Sequence, residues 1–325
     1  MNIYLSEILK DVKTVAIGGH LNPDGDATGS CMALYLYLKK NFPHIQADVY
    51  LENIQPSFVF LTDIDTVNTT PKLQSYDLFV ALDCGDLERL GFLVSLFEQA
   101  KKTLNIDHHV SNQGFADYNL VVPAASSTAE LVYGLIMNDQ IQRNPQQEQL
   151  DKQVAEAVYL GLIHDTGVFR YPSTSPQTME IAANLIRSGI NGPRIIDETY
   201  FEKSFGQVKI LGRAIEKAQL YLDNTCIASV ITAEDRADFG LDTHDLDGII
   251  NVLKGTRGCY IAIFMYQLND DTFKVSLRSN ETFDVNAIAS HFGGGGHLRA
   301  AGLTMSGKTP EQMLEALFVE INKQV

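Results

Sequence analysis

Asp107-His108-His109 follows the apolar run Lys102-Thr103-Leu104-Asn105-Ile106, so one carboxylate and two imidazoles stand where a strand is expected to end. Three further groups sit beside apolar runs: His20-Leu21-Asn22-Pro23-Asp24-Gly25-Asp26, Leu82-Asp83-Cys84-Gly85-Asp86 and His164-Asp165-Thr166-Gly167. From these, His20, Asp24, Asp26, Asp83, His108 and Asp165 are oxygen or nitrogen donors suited to Mn²⁺ or Mg²⁺. With no cysteine among them a structural zinc site is a poor fit, whereas mixed carboxylate and imidazole suits Mn²⁺, Fe²⁺ or Co²⁺. Six donors exceed what one ion needs, so two ions sharing a bridging carboxylate are the economical arrangement. Two such ions, roughly 3.5–4 Å apart, clamp a phosphoryl group, make a nucleophile of water and stabilise the leaving oxygen.

Taken singly, each residue has a plainer reading. Asp24 and Asp26 suit a turn or helix cap, Asp83 a solvated strand end, His164-Asp165 a helix cap, and His20 a hydrogen-bonded core position. Their joint occurrence, with three of the four groups at expected strand ends, argues for a site. Gly25 is expected to let a tight loop aim Asp24 and Asp26 inward. A helix beginning near Asp26-Ala27-Thr28 would add its N-terminus to the same place.

The elements that must position these groups read as an alternation. Residues 14–19, 48–51, 77–82 and 102–106 form short strand patterns. Helical patterns cover about 28–39, 87–100, 127–138, 147–164 and 176–188. Strands alternating with helices predict a parallel sheet with helices on both faces, and ligands bind outside the carboxyl ends of such strands. Ser188-Gly189-Ile190-Asn191-Gly192-Pro193 is a break. A helical connector from about Arg194 to Tyr221 follows it. Beyond lie strand patterns at 225–232, 259–267 and 272–278, with a hairpin loop at Leu268-Asn269-Asp270-Asp271. A helix at 285–291, the run Gly293-Gly294-Gly295-Gly296-His297, a strand at 301–305 and a helix at 310–322 complete the chain. The expected division is a domain at 1–190, a helical linker at 191–221 and a smaller α/β domain at 222–325.

The 325 residues include 45% hydrophobic and 20% charged side chains, which fits a globular α/β protein of two domains. No apolar stretch approaches the ~20 residues that span a bilayer, and Met1–Lys13 does not read as a secretory signal. Cys31, Cys84, Cys226 and Cys259 are scattered, three of them in apolar runs, which points to buried free thiols and a reducing cytoplasm. A net charge of −15 argues against long duplex nucleic acid, but leaves room for a small phosphorylated substrate held by metal ions and a few Arg or His side chains.

The same residues carry a family resemblance. His20 to Ser30, Asp83-Cys84-Gly85-Asp86, Asp107-His108-His109-x-x-Asn112 and His164-Asp165-Thr166-Gly167-x-Phe169-Arg170-Tyr171 resemble the four motifs of the DHH phosphoesterases. Gly294-Gly295-Gly296-His297-x-x-Ala300-Ala301-Gly302 resembles the signature of the companion DHHA1 domain. In size and layout the chain is similar to the bacterial nano-RNase/pAp phosphatases, the bifunctional oligoribonucleases.

The resemblance implies that His20, Asp24 and Asp83 hold one ion and that Asp26, Asp83, His108 and Asp165 hold the other, with Asp83 bridging. It implies that His109 points at the scissile phosphate as a cationic donor and that Asp107 orients the imidazoles from behind. Arg278 and His297, with Gly295 and Gly296, match the positions by which the DHHA1 domain grips a terminal phosphate or nucleotide. An Arg fork suits phosphate on its own account, and a glycine run lets backbone N–H groups approach an anion. Arg170 is a weaker phosphate candidate. Ser127 and Thr128 are equally well explained as helix caps.

The expected activity is hydrolysis by a hydroxide that two divalent ions activate, Mn²⁺ first and Mg²⁺ or Co²⁺ next, in a cleft between the domains. Short RNA oligonucleotides would give mononucleotides, and 3′-phosphoadenosine 5′-phosphate would lose its 3′-phosphate. Neither membrane nor long duplex is expected as a partner, and a homodimer is left open. The alternatives are hydrolysis of a cyclic or linear dinucleotide, pyrophosphatase or exopolyphosphatase activity, and a non-catalytic nucleotide-binding module.

Overall fold

The computed structural model describes residues 4–280 and 282–324. These divide into two compact units, with the boundary between Glu202 and Lys203. The first unit runs α1 (Leu5–Ile8), β1 (Thr14–Gly18), α2 (Gly25–Asn41), β2 (Gln46–Tyr50), β3 (Leu78–Leu82), α3 (Val94–Glu98), β4 (Thr103–Asp107) and β5 (Tyr118–Val121). It continues through α4 (Thr128–Arg143), α5 (Lys152–Asp165), α6 (Pro176–Arg187) and α7 (Gly192–Ile196). The five strands are all parallel, in the order β2-β1-β3-β4-β5.

Period-two alternation along the strands splits their side chains between two cores. Val15, Ile17, Leu78, Val80, Leu82, Leu104 and Ile106 pack with α2, α4 and α5, while Ala16, Phe79 and Ala81 face Leu90, Leu93, Leu96 and Phe97. Both faces are therefore covered, as the alternating pattern predicts. Helix α2 is buried along Gly25–Leu38, a helix enclosed on several sides rather than amphipathic on the surface.

Several expectations need correction. The helical pattern at 87–100 is a 3₁₀ segment, Glu88–Leu93, and the short α3, interrupted where Gly91 turns left-handed at φ 57°. Strand β5 is missing from the apolar reading, because at the sheet edge its residues are exposed or half-buried. The stretch 194–221 is not one helical connector. It holds α7, a π-helical turn at Asp197–Phe201, α8 (Phe205–Glu216) and β6 (Gln219–Tyr221). Residues 191–202 lie in the first unit and 203–221 in the second.

The second unit continues with β7 (Cys226–Ile231), α9 (Ala233–Ala237), α10 (Ile249–Lys254), β8 (Ile261–Asn269) and β9 (Thr272–Ser279). Helix α11 (Val285–His291), β10 (Gly295–His297), β11 (Ala300–Ser306) and α12 (Pro310–Asn322) follow. Its sheet has the order β10-β11-β9-β8-β7-β6, with only β7 and β8 parallel. Helices α11 and α12 cover one face, and α8 and α10 pack on β7 and β8 from the other.

The glycine run is part of this sheet. Gly296 has φ 151°, and a Cβ there would lie 2.5 Å from the Ala300 carbonyl oxygen, so only glycine lets β10 close on β11. Cys31, Cys84 and Cys226 are buried and all four cysteines are free. Among the described residues no helix is long and apolar enough to cross a membrane.

Candidate metal centre

The carboxyl ends of β1, β3 and β4 deliver three of the four donor groups, and the last residue of α5 delivers Asp165. Asp24 is the N-cap of α2, its Oδ1 accepting from the N–H of Asp26 at 2.9 Å and of Ala27 at 3.1 Å. The capping reading therefore holds for Asp24. Gly25 opens the helix instead of forming a loop. A Cβ on it would fall 2.3 Å from the His164 ring, so its bareness makes room for that imidazole. Gly161 does the same for Asp26, whose Oδ1 would meet an added Cβ at 2.7 Å. Close contact of α2 and α5 is what brings Asp26 near Asp165.

The side chains gather as the groups His20, Asp24, Asp83 and Asp26, His108, Asp165, each with ligand atoms within 4.8 Å of one another. His20 Nε2 lies 3.6 Å from Asp83 Oδ2 and 3.8 Å from Asp24 Oδ1. His108 Nε2 lies 3.1 Å from Asp165 Oδ2, 3.7 Å from Asp83 Oδ1 and 3.9 Å from Asp26 Oδ2. Asp83 thus turns one oxygen to each group. Donors bound at ~2.1 Å around a six-coordinate ion stand about 3 Å apart, and this spacing is compatible with that after small adjustment. Asp83 itself sits at φ 59°, a left-handed backbone that Asp tolerates better than most residues and that concentrates at functional positions.

Hydrogen bonds set the imidazoles. His20 Nδ1 is 2.8 Å from the Leu21 carbonyl, an acceptor only, so Nδ1 carries the proton and Nε2 is left for a ligand. His109 Nδ1 is 2.7 Å from Asp107 Oδ1, and Asp107 Oδ2 accepts from Asn112 Nδ2 at 2.6 Å. Asp83, His108 and His109 form a third grouping, but the His109 Nδ1 that lies 3.7 Å from Asp83 Oδ1 is engaged by Asp107.

Two residues quoted above gain their roles only from the fold. Asn112 locks the fully buried Asp107 and also donates to Asn105 Oδ1 at 2.7 Å; its signal was the Asp-His-His-x-x-Asn spacing. Ser127 is the cap of α4, whereas Thr128 Oγ1 donates to Asp83 Oδ1 at 3.0 Å. The backbone N–H groups of Thr128 and Ala129 donate to the two oxygens of Asp26 at 2.6 and 2.9 Å. Nothing local in Ser126-Ser127-Thr128 announces a role more than a hundred residues away. His164 is not among the grouped donors; it packs edge-on against Phe58 and Tyr200.

Electrostatics supports a cation here. Every ion pair to Asp24, Asp26, Asp83 and Asp165 among the described residues is with an imidazole, never with Lys or Arg. Burial, and then the neighbouring Asp83, push Asp165 up to about 8 and Asp26 well above the carboxylate range. Burial lowers His20, but its hydrogen bonds to Asp24 and Asp83 outweigh that and raise it to about 10. Such crowding of carboxylates is the arrangement that divalent ions relieve.

The metal-free chain should show it in its stability. Asp26, Asp165 and His20 hold protons more tightly folded than unfolded, so the stability they contribute is full at low pH and is lost as pH rises towards their folded values. His164, which burial pushes down to about 4, acts in the opposite sense, but its effect is complete by about pH 6.5. The melting temperature of chelator-treated protein is therefore expected to fall between pH 6.5 and 8, and Mn²⁺ to flatten the slope. A flat or rising metal-free curve would count against this centre.

In the second unit, strand register pairs His297 with Ala300 and Ala300 with Arg278. Directly paired residues of antiparallel strands share a face. His297 and Arg278 therefore stand on one side of the sheet, separated by a methyl group. Gly295 and Gly296 precede His297 in β10.

Comparison with known proteins agrees with this architecture. Residues 14–162 match the DHH family, N-terminal domain, and residues 223–325 match the DHHA1 domain. The chain thus carries a DHH-family domain followed by a DHHA1 domain. It is similar to the bifunctional oligoribonuclease and PAP phosphatase NrnA of Thermus thermophilus, 27% identical over 325 residues, 99% of this chain and 93% of that one. The fold is that of an exopolyphosphatase-related protein from Bacteroides fragilis, with TM-score 0.88, 24% identity, and 98% and 96% of the two chains covered. RecJ of Thermus thermophilus in complex with Mn²⁺ shares the fold more distantly, with TM-score 0.54 and 14% identity over 97% of this chain and 52% of that one.

Proposed function

We propose that this protein is a metal-dependent phosphoesterase that cleaves short oligoribonucleotides to mononucleotides and removes the 3′-phosphate of 3′-phosphoadenosine 5′-phosphate. The observation that carries it is Asp83, one carboxylate oxygen facing each of two donor groups. The name of the Thermus relative supports the substrates, and the Mn²⁺ held by RecJ supports the ion. His20, Asp24 and Asp83 would hold one ion, and Asp26, Asp83, His108 and Asp165 the other. Bound there, two divalent ions supply Lewis acidity and neutralise charge on the phosphoryl group.

The chain's own residues do the rest. Asp107, fixed by Asn112, holds His109 by Nδ1 and raises its affinity for a proton, leaving Nε2–H to donate to a phosphate oxygen as charge builds there. Water adds its oxygen to phosphorus, the ester bond breaks, and the leaving oxygen takes up a proton. Thr128 holds Asp83 and the first turn of α4 holds Asp26, so the carboxylates need not reorganise during the reaction. Arg278 and His297, with the backbone at Gly295 and Gly296, are assigned to the substrate's terminal phosphate.

A panel of RNA dinucleotide, RNA pentanucleotide, 3′-phosphoadenosine 5′-phosphate and pyrophosphate, each with Mn²⁺, tests the reading. Turnover is expected on the dinucleotide and on 3′-phosphoadenosine 5′-phosphate. The proposal fails if purified protein leaves both intact.

A further inference from the structure

Outside the metal centre, the first unit contains a cavity of about 790 Å³ between α4, the start of α6 and the edge strand β5. Leu120, Leu131 and Ile141 give it apolar walls, and Gln177 adds an amide. One carboxylate enters it, that of Glu130, which is only 7% exposed. Glu130 Oε2 accepts from Ser126 Oγ at 2.6 Å and from Thr178 Oγ1 at 2.8 Å. No Lys, Arg or His stands among the described lining residues, and no ion pair to Glu130 occurs among the described residues. A carboxylate this enclosed, hydrogen-bonded but without a cation, is ordinarily matched by one.

A second observation is independent of charge. Gly134 also lines the cavity, in the middle of α4, where glycine costs about 1 kcal/mol relative to alanine. Nothing lies within 4 Å of where its Cβ would stand, so no close packing requires glycine there. What the missing side chain does is leave the cavity open.

We propose that this cavity is a binding site for a small organic cation, an amine or amidine on a flat apolar body, whose positive group meets Glu130 while the body lies over Gly134. The volume suits such a ligand. The site lies on the same first turns of α4 whose N–H groups and Thr128 hydroxyl hold Asp26 and Asp83.

The probe is benzamidine, with neutral benzamide as its isostere, titrated calorimetrically into the full, Mn²⁺-loaded chain. Benzamidine is expected to bind saturably at one site and benzamide at least about tenfold more weakly, the scale of a charge-assisted hydrogen bond. Glu130→Gln should weaken benzamidine by a similar factor. Gly134→Leu, whose Cβ would have no atom within 4 Å and whose side chain would start from the cavity wall, should abolish binding while the protein keeps its melting temperature. If Glu130→Gln does not fold, because an amide oxygen accepts from Ser126 and Thr178 more weakly than a carboxylate does, Gly134→Leu still decides. Absence of saturable binding, equal binding of benzamide, or unchanged affinity in Gly134→Leu overturns the site. Binding elsewhere among the acidic groups would survive Gly134→Leu and so is separated from it.

Discussion

Asp83→Ala is expected to lower turnover of an RNA dinucleotide by at least about a thousandfold, or ~4 kcal/mol of barrier. The reason lies in the placement of its two oxygens. Oδ2 faces His20 and Oδ1 faces His108, so the substitution removes a donor from both groups at once. It also strips Thr128 of its acceptor. Metal content measured by elemental analysis should fall towards zero along with the rate. Because Asp83 occupies a left-handed backbone, Asp83→Asn is the cleaner companion: asparagine tolerates that conformation and keeps the shape while losing the charge. Both variants should fail alike. Activity of Asp83→Asn within about tenfold of wild type, only ~1.4 kcal/mol, would contradict a shared, bridging carboxylate.

His109→Ala is expected to separate rate from metal content. If His109 donates to the phosphate and is not a ligand, turnover should drop by about a hundredfold or more, the range for removal of one transition-state donor. Two ions per chain should remain bound. Loss of an ion in this variant would instead favour the grouping of Asp83, His108 and His109 that the distances also permit. Asp107→Asn should shift the pH–rate profile in the same experiment, because Asp107 is the largest reason His109 holds its proton above the ordinary histidine range.

Much of this centre was legible because it is built at strand ends. An apolar run followed by acids and imidazoles marks the carboxyl edge of a parallel sheet. β1, β3 and β4 end where that pattern says, and their donors converge. The sequence is silent where geometry depends on distant partners. Thr128 reads as one of two equivalent capping residues until the fold sets it against Asp83. The left-handed turn at Asp83 has no local signature. Strand β5 lacks an apolar run because an edge strand is only half covered, and β10 shows no strand pattern because glycines lead it. The helical pattern at 87–100 failed for a related reason, since apolar spacing cannot show that Gly91 breaks the chain's direction.

One contact described above also bears on how the protein is made. Asp26, at the start of α2, is clasped by two N–H groups at the start of α4, about a hundred residues later in the chain. Five of the six proposed donors are already present when synthesis has passed His108. They nevertheless lack the clasp and Asp165 until α4 and α5 have docked on α2. Under the proposed assignment, metal capture would be a late folding event, and a bound ion would report that α4 and α5 have closed on α2. By mass action it would then stabilise only chains that have reached that state.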